Sequence, residues 1–507
     1  MATVTQVSNP GTYSPIYNYV VGIVDSASSS VADFKYIYNT LKVDMATGIT
    51  SSLGTNETVP KPVTGTGRLS MSSLLGAETS FDCKPFITSP YGASNSIVKY
   101  FYNYGYSHTL AAEFIDVVTI FTTNAWLGFN TFTPYDIQVG DIINISMDNQ
   151  SVNPQYNGVT TVLGVTTSFG FQYVQIDKTY VVAPITAESG EITTITRPII
   201  GTSSIYYAFN GTRQYDQPLS DSRYNWSNTH TFYPNIHMVK ALTNYKSGLT
   251  AGNPIIGPSG SNTKKIFRNQ FETLDIMVDD PTQFYQVTYN NYNSNQQITS
   301  TNSYPLQSIA PVTSFGGWKR YILPVGTTGS QTYFTQSGPY YSVKIDWLQG
   351  DEPPFTVRNK MIHYYEVVGS CTPGFTNYRL TWMNPHGGFD YWNFNFKSTE
   401  NQNVTKNEYR KLIDYDWTIG DTGDDIYSVK ANKSYTVTTD YLDDYDFKFL
   451  NELVRSKKAF LVDEANRNIY PIIIDVPGWL FDRNPGDFEL FGTVTFRMAY
   501  DIIVQRG

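Results

Sequence analysis

Apolar and polar residues alternate most clearly at the C-terminal end of the chain. One side of the alternation carries large apolar side chains, at Val494, Phe496, Met498, Tyr500, Ile502 and Val504. A period of two predicts a single β-strand of about twelve residues within 493–507, long beside the usual five or six. Because an apolar strand face must be covered, this pattern indicates a large sandwich or barrel.

Short alternating runs separated by turn residues follow Pro134. The runs are Ile137–Ile145, which turns at Gly140-Asp141, and Val159–Val165, Gln172–Ile176 and Glu191–Ile195, with a loop at Asn153–Gly158. Strands about ten residues apart are typical of a small closed barrel. We place this barrel at 131–200, inserted into a larger domain, because exposed loop tips tolerate insertions.

The remaining N-terminal and central patterns are less regular. A serine-rich turn at Ser26–Ser30 separates two apolar runs, which predicts a hairpin of two strands. Apolar residues at 71, 74 and 75 indicate one or two helical turns, and Val98–Thr109 is predicted to be a strand. Residues 201–360 are the least defined, and the apolar spacing in Lys265–Val278 only half matches a helix, so its structure stays open.

The C-terminal part carries a hairpin signal and a helix signal. Tyr378–Met383 and Phe389–Phe396 are predicted strands, joined by a turn in which paired glycines can take positive φ. Between Asp440 and Ser456, apolar residues recur at helical intervals. Asp440 is the predicted N-cap, and Arg455 suits the negative end of the helix dipole. We expect one amphipathic helix lying on a sheet.

These patterns predict a mainly β, multidomain chain. It would consist of antiparallel β-sandwiches and barrels, with a small inserted β-barrel and one amphipathic helix in the C-terminal domain. At 507 residues the chain exceeds what one core normally organises. The predicted division is an N-terminal β domain (1–90), the inserted barrel (131–200), a central β-rich region (91–130 with 201–375), and a C-terminal antiparallel domain with the helix (376–507).

Composition favours a protein that binds other proteins. The chain has 40 tyrosines and 29 phenylalanines, with many Ser, Thr and Asn, while charged residues reach only 16% against a usual value of about 25%. Aromatic side chains pack well in β-structure, and the tyrosine hydroxyl adds a polar edge to an apolar contact. Both properties suit broad protein–protein interfaces, so the composition predicts an assembly protein.

Charge and hydropathy bear on the partner and the compartment. A net charge of −9 argues against a nucleic-acid partner, because such binding relies on Lys and Arg at the phosphates. No apolar stretch is long enough to cross a membrane, and Met1–Gln6 lacks the features of a signal peptide, so we expect no membrane partner and synthesis in a cytosol. The two cysteines, Cys83 and Cys371, are predicted to be buried free thiols.

No pattern of catalytic, metal-binding or cofactor-binding residues stands out, so we predict none of these sites. The five histidines (His108, His230, His237, His363, His386) lack the spacing of a metal site. Turns explain Gly65-Thr-Gly67 and Gly257-Pro-Ser-Gly260, and the latter region lacks the glycine that a P-loop needs before its lysine. The acidic clusters Asp443/Asp444 and Asp421/Asp424/Asp425 are better explained by a helix start and a solvated turn than by catalysis or calcium.

The order of several segments resembles that in structural proteins of tailed bacteriophages, particularly those with Bacteroidetes hosts. The segments are Tyr13–Tyr17, Phe34–Tyr36, Gly65–Leu75, Val139–Ile145 with Tyr156–Gly158, Cys371 with the Arg379–Asp390 hairpin, and the helix and strand that follow. The resemblance implies a non-enzymatic virion component of the tail, as a ring, baseplate or hub-adaptor subunit. Its partners would be copies of itself in a ring and other tail proteins, after assembly in the host cytoplasm.

Other functions stay open at this stage. The chief alternative is a host-receptor-binding adhesin that contacts surface glycans, although the chain shows neither heptads nor an internal repeat. A polysaccharide-degrading enzyme would need two converging acids in a cleft. Composition also permits a capsid-associated role.

Overall fold

The structure is a computed structural model. It describes residues 4–8, 13–16, 20–27, 29–31, 33–44, 47–61, 64–79, 86–87, 91–93, 97–118, 123–130, 134–148, 154–168, 170–181, 189–209, 239–241, 263–278, 284–306, 319–327, 334–349, 356–369, 375–384, 387–410, 418, 423–440, 442, 444–475, 480–483, 490–500 and 503–506. The fold is mainly β, with several antiparallel sheets, as predicted. The chain divides into two compact units, unit 1 (1–79 and 98–209) and unit 2 (80–97 and 210–507).

Unit 1 consists of strands with one short helix in its described part. Its elements are β1 (Val4–Ser8), β2 (Tyr13–Pro15), β3 (Val21–Ser26), β4 (Lys35–Val43), β5 (Thr50–Thr58), β6 (Gly67–Ser70) and α1 (Ser72–Glu78). After β7 (Tyr91–Ala93), which belongs to unit 2, come β8 (Ile97–Phe114), β9 (Asp116–Val118), β10 (Asn124–Asn130), β11 (Ile142–Met147), β12 (Gly158–Ser168), β13 (Phe171–Thr179), β14 (Gly190–Thr202) and β15 (Tyr206–Phe209).

The first core of unit 1 is built around buried tyrosines. Sheet β1-β3-β6 and the first half of β8, with β4 and β15, contribute to one cluster that includes Tyr36, Tyr100 and Tyr102. A Cβ on Gly67 would lie 2.2 Å from Cδ2 of Tyr36, so glycine is needed there for the ring to pack on the backbone. The Tyr36 hydroxyl donates to the carbonyl of Gly65 at 2.7 Å, which keeps this buried polar group satisfied.

The second core of unit 1 lies inside a closed barrel. The strands pair in the order β8-β14-β11-β12-β13-β10-β9, and β9 follows β8 directly along the chain, so the row of strands returns to its start. Apolar side chains from these strands fill the interior, among them Phe114, Leu127, Ile143 and Val174. The strands expected after Pro134 are present. The pairing also joins 109–118 and 124–130 to them in the same barrel. The predicted domain boundaries stay a prediction.

Unit 2 contains the remaining described elements. They are β7, β16 (Val239–Ala241), β17 (Thr263–Phe267), β18 (Thr273–Val278), β19 (Phe284–Tyr292), β20 (Ile298–Pro305), β21 (Lys319–Pro324), β22 (Tyr340–Gln349) and β23 (Thr356–Val368). They continue with β24 (Tyr378–Met383), β25 (Phe389–Phe394), β26 (Ser398–Arg410), β27 (Asp424–Thr438), α2 (Asp444–Arg455), β28 (Ala459–Asp463), β29 (Asn468–Ile474), β30 (Leu480–Arg483), β31 (Leu490–Met498) and β32 (Ile503–Arg506).

The central part of unit 2 is a sandwich. Sheet β16-β18-β21-β7 and sheet β17-β23-β22-β19-β20 share one apolar cluster, which includes Leu274, Tyr289 and Tyr341. Lys265–Val278, whose structure the sequence left open, forms the strands β17 and β18. They are separated by a turn in which Asn269 has φ of 66°. Asparagine tolerates that left-handed conformation better than most residues. The apolar spacing only half matched a helix because the segment consists of two strands and a turn.

The C-terminal sheet has the order β25-β24-β28-β29-β31-β27-β26, and α2 packs on it. The predicted hairpin is confirmed, since β24 pairs with β25 and Gly387 has φ of 84°. The predicted amphipathic helix is also confirmed: its Phe449, Leu450 and Leu453 are buried, and Phe449 contacts Trp382 at a ring separation of 5.2 Å. Asp440 is not its N-cap, because the helix begins at Asp444.

Three further predictions need correction. The single terminal strand is two strands, β31 and β32, which pair with β27 in registers that differ by three residues. Between the two registers, Asn432 Nδ2 on β27 donates to the carbonyls of Met498 (3.2 Å) and Tyr500 (3.1 Å). The two N-terminal runs form no hairpin with each other, because β3 pairs with β1 and β6 whereas β4 pairs with β5 and β8.

The helical turns expected near 71–75 occur slightly later, at Ser72–Glu78.

Candidate assembly surfaces

Unit 2 contains a group of charged side chains that are shielded from water, which we call the ionic cluster: Lys264, Glu272, Arg379 and Glu464. Glu272 lies at its centre and is 1% exposed. Its Oε1 accepts a hydrogen bond from Lys264 Nζ at 2.6 Å, and its Oε2 accepts one from Arg379 Nη2 at 2.8 Å. Arg379 Nη1 also lies 3.6 Å from Glu464 Oε1. The two cations compensate Glu272 for the water that it loses on burial.

Polar contacts around the ionic cluster join its strands. The ring of Tyr391 lies beneath both cations, with its centroid 5.9 Å from Lys264 Nζ and 5.2 Å from Arg379 Cζ. Its hydroxyl is 2.9 Å from Thr273 Oγ1. Gln270 and Asn393 exchange two amide hydrogen bonds, at 2.6 and 3.0 Å. These contacts fasten the central sandwich to the C-terminal sheet.

A second buried pair lies in the same unit. Arg320 donates to Oδ1 of Asp275 through Nε (3.0 Å) and Nη2 (2.7 Å), and Oδ2 of Asp275 accepts the backbone N–H of Phe389 at 2.7 Å. Every carboxylate oxygen of Asp275 therefore has a donor. Such a saturated pair specifies one arrangement of β18, β21 and β25, and it leaves no oxygen turned towards a ligand.

The ionic cluster is better suited to holding its strands together than to catalysis. Lys264, Glu272 and Arg379 are nearly inaccessible to water, and their charged ends bind one another. Within the described residues, no group of three His, Cys, Asp or Glu side chains could hold a metal ion. No helix in that part of the chain is long and apolar enough to cross a membrane.

The histidines that the structure describes lie apart in different units. His363 on β23 is buried, and burial together with the charge of Lys264 lowers its pKa to about 4, so it is neutral at pH 7. His108 on β8 stacks on Tyr106, with ring centroids 5.5 Å apart. His230, His237 and His386 lie outside the described residues, as do Cys83 and Cys371.

The acidic and glycine motifs singled out in the sequence fall into ordinary local structure where they are described. Asp424 and Asp425 begin β27, and Asp425 Oδ1 accepts the N–H of Ile426 at 2.9 Å. Asp444 is the first residue of α2, while Asp421 and Asp443 lie outside the described residues. Lys264 and Lys265 are in strand β17, so no helix begins after them as a P-loop would require. The residues 257–260 are not described.

The water-facing sides of the sheets carry ladders of uncharged hydroxyl and amide groups, which bond across neighbouring strands. The pairs and their distances are Ser52–Asn39 (2.7 Å), Ser107–Thr196 (2.9 Å), Thr202–Asn103 (2.8 Å), Asn144–Thr193 (3.1 Å), Thr288–Ser303 (3.0 Å), Thr301–Asn290 (2.9 Å), Thr436–Thr495 (3.0 Å) and Thr438–Thr493 (3.3 Å). These ladders occur in both units. They use some of the many Ser, Thr and Asn residues of the chain.

Three strands, which we call the polar edge strands, end their sheets with little apolar content: β5, β20 and β26. In the described part of the chain, each pairs with a neighbour on one side alone. Most side chains of β20 and nearly all of those of β26 are exposed, whichever face they point to. An edge strand presents unpaired backbone donors and acceptors, so it can bind another strand.

The polar edge strand β26 belongs to a projecting part of the C-terminal sheet, which we call the arm: β26, Asp424–Ala431 of β27, and β32. Tyr435 and Val437, at the other end of β27, are buried, whereas Ile426 and Tyr427 in the arm are exposed. Tyr409 and Tyr427 lie together there, with ring centroids 6.2 Å apart. Within the arm, strand β26 is therefore exposed on both faces of the sheet as well as along its open edge.

Neither the ionic cluster nor the arm could be identified from the sequence pattern. Glu272 meets Arg379 across 107 residues, and Phe271 meets Glu464 across 193, so no local spacing signals these contacts. The arm leaves a weak signal, since Ser398–Arg410 is strongly polar without the glycine and proline of a loop.

Comparison with known proteins assigns this chain to no family. No family model matches it, and no curated protein matches it significantly. The assignment of function therefore depends on the surfaces themselves.

Proposed function

We propose that this protein is a non-enzymatic structural component of a tailed bacteriophage virion, a tail ring, baseplate or hub-adaptor subunit. It would form a homo-oligomeric ring and dock neighbouring tail proteins, after assembly in the host cytoplasm. The observation that carries the proposal is the combination of polar edge strands with uncharged ladders on the sheet faces. Such surfaces offer backbone and hydroxyl groups to another protein.

The electrostatics of these surfaces support assembly. Burying an ionised side chain in an interface costs several kcal/mol unless it is paired, whereas a hydroxyl or amide needs only a hydrogen-bond partner. In unit 2, the buried charges of Lys264, Glu272 and Arg379, and those of Asp275 and Arg320, are already paired within the chain. The outer faces can then dock at a low desolvation cost.

A ring requires two different faces on each subunit that complement one another, because heterologous contacts repeat until the ring closes. The chain carries polar edge strands in both units, on β5 in unit 1 and on β20 and β26 in unit 2. Edges with different sequences are suited to bind different neighbours. This supports a subunit that binds its own copies and other tail proteins.

One observation favours the alternative function, an adhesin that binds host-surface glycans. Tyr409 and Tyr427 are about half exposed and lie side by side on the arm. Aromatic rings of this kind stack on sugar faces, and nearby Asp424 and Asp425 carry carboxylates that can bind sugar hydroxyls.

Imaging of the purified full-length chain tests the proposal. We expect negative-stain micrographs to show rings of uniform diameter, and a gold-labelled antibody against the chain to bind phage particles at the tail. A chain that stays monomeric in light scattering and is absent from purified virions would contradict it. Stable trimers that bind host glycans, and lose that binding on Tyr409→Ala with Tyr427→Ala, would favour the adhesin.

A further inference from the structure

The open edge of the arm has the length of a docking strand, and its pairing with β27 shifts register once, between Asn407 and Glu408. Strand β26 contains 13 residues, Ser398–Arg410, all of which pair with β27 on the inner side. No described strand pairs with its outer side. It contains neither proline nor glycine, so nothing in its sequence interrupts a ladder of hydrogen bonds with an added strand.

The charges of β26 are arranged so that the strand complements itself. Reading along it, the charged residues are Glu400, Lys406, Glu408 and Arg410. If a second β26 runs antiparallel with Asn403 opposite its own counterpart, Glu400 of each copy faces Lys406 of the other. The two-fold symmetry makes this ion pair occur twice. No like charges then lie opposite one another.

Neighbouring registers either place like charges opposite each other or pair Glu400 with a residue other than Lys406. With Val404 opposite itself, Glu400 would face Glu408 twice, and with Lys406 opposite itself, two ammonium groups would meet. Like charges directly opposite each other destabilise a strand pair. With Thr405 opposite itself, Glu400 would face Arg410, and Lys406 would face Val404. Substitution of Lys406 therefore distinguishes the first register from the last.

We propose that β26 pairs antiparallel with β26 of a second copy of this chain, centred on Asn403, so that the two C-terminal sheets become one continuous sheet. Each Glu400, which already lies 2.6 Å from Lys433 of its own chain, then lies between that Lys433 and Lys406 of the second copy. The contact goes beyond the proposed function, since a two-fold contact closes no ring. It joins two chains, or two rings back to back.

The favoured occupant is a second copy because the complementarity is internal to β26. A partner of unrelated sequence would have no reason to match Glu400 and Lys406 at this spacing. The strand also has the composition of a weak, reversible contact: its side chains are polar, and Val404 and Tyr409 are the large apolar groups exposed on it. Strand addition supplies the main-chain hydrogen bonds, and the ion pairs set the register.

Charge reversal in the full-length protein tests the contact. In Lys406→Glu, each Glu400 faces a second carboxylate, and we expect sedimentation equilibrium to show dimerisation weakened about tenfold. The matched control is Lys430→Glu, the same charge change on the exposed neighbouring strand β27, opposite Thr405. It should leave the dimer unchanged, and thermal melting should confirm that both variants fold.

A mixture of two variants gives a sharper result. Glu400→Lys should also weaken self-association, because the introduced ammonium group would face Lys406 of the other copy. When the Lys406→Glu and Glu400→Lys proteins are mixed, both facing pairs are again of opposite charge, so we expect a heterodimer with at least the wild-type affinity. Failure of the mixture to associate, or an unchanged dimer in Lys406→Glu, would overturn the proposed register.

A disulfide checks the centre of the contact directly. Facing residues of an antiparallel pair have Cα atoms about 4.5–5.5 Å apart, which is within disulfide reach. Asn403→Cys should form a covalent dimer on mild oxidation. Thr405→Cys should not, because residue 405 faces residue 401, and wild type controls for Cys83 and Cys371. Equal cross-linking of both variants would contradict the proposed contact. This outcome is separate from the test of the proposed function, because it does not depend on whether the chain occurs in virions.

Discussion

The ionic cluster and the arm are two polar regions of the same unit, and they treat their polar groups in opposite ways. In the ionic cluster, the full charges of Lys264, Glu272 and Arg379 are shielded from water and bound to one another. In the arm, side chains that are mostly uncharged lie in water on both faces of the sheet. The charges of the ionic cluster are thus paired away from water, whereas those of the arm, such as Glu400 and Lys406, lie exposed among neutral groups.

The difference shows where each kind of group is useful. A buried ion is favourable only with its partner fixed in place, so a cluster of ions selects one arrangement of the strands around it. A neutral hydroxyl or amide loses little when it exchanges water for a protein partner. The ionic cluster therefore fixes the strands around it, whereas the neutral groups of the arm suit the partner that we propose.

The largest expected effect comes from removing the central carboxylate of the ionic cluster. Glu272→Ala leaves Lys264 and Arg379 buried without their shared partner, so we expect the free energy of unfolding to fall by about 3–5 kcal/mol in urea titrations. The matched change in the arm is Glu400→Ala, which breaks an exposed pair with Lys433 and should cost about 0–1 kcal/mol. Similar losses in both variants would remove the distinction between the regions.

Acid should weaken the buried region through His363. Its pKa is about 4 in the folded chain because burial, and then the charge of Lys264, disfavour protonation, whereas the pKa in the unfolded chain is about 6.5. A lowered histidine pKa means that its contribution is complete above pH 6.5 and is lost as the pH falls towards 4. The loss amounts to about 3 kcal/mol.

Urea titrations between pH 7 and pH 4 would measure this loss. His363→Gln should flatten the pH dependence, and His108→Gln, a matched substitution in unit 1, should retain it because His363 is still present. An unchanged slope in His363→Gln would show that other groups cause the acid sensitivity.

A smaller effect is expected for one buried hydroxyl beside the ionic cluster. Thr273→Val keeps the shape but removes the hydrogen bond with Tyr391, so it should lower the free energy of unfolding by about 1–2 kcal/mol in chemical denaturation. Thr436→Val removes a ladder bond to Thr495 on a wet face and should change it by less than about 0.5 kcal/mol. Equal costs would mean that the ladders stabilise the fold as strongly as the buried network.

The smallest effect should come from the arm itself. Tyr427→Ser should alter the thermal stability of the purified chain by less than about 0.5 kcal/mol, because its ring is half exposed. Tyr435→Ser on the same strand should cost about 3 kcal/mol or more, since that ring is buried and stacks on Phe496 at 5.2 Å. A strongly destabilised Tyr427→Ser would mean that the arm is part of the folding core.

Local patterns allowed the hairpin of β24 and β25 and the helix α2 to be predicted, because turn glycines and helical spacing act over a few residues. The single terminal strand was wrong because β31 and β32 pair with β27 in different registers, and an alternation with a period of two contains no information about register. Likewise, no hairpin forms between the two N-terminal runs, because β3 pairs with β1 and β6 whereas β4 pairs with β5 and β8, and nothing in the alternation of either run specifies these partners.

The candidate surfaces were harder to predict than the fold. Composition indicated an assembly protein, and the ladders provide the physical counterpart of that expectation. The position of the ionic cluster was unpredictable, since Glu464, Glu272 and Arg379 are brought together only by the packing of separate sheets. The arm was missed because a strand exposed on both faces lacks the alternation by which strands are recognised.

The pairing of β7 with β21 has a consequence for the synthesis of the chain. Ala93 pairs with Arg320, so β7 leaves the ribosome long before the strand that receives it. At about 5–20 residues per second, the interval is on the order of ten to fifty seconds. Unit 1 can complete its barrel within that time, because its last strand ends at Phe209. The nascent segment 80–97 must meanwhile stay clear of wrong partners, and a ribosome pause before residue 320 would prolong that exposure.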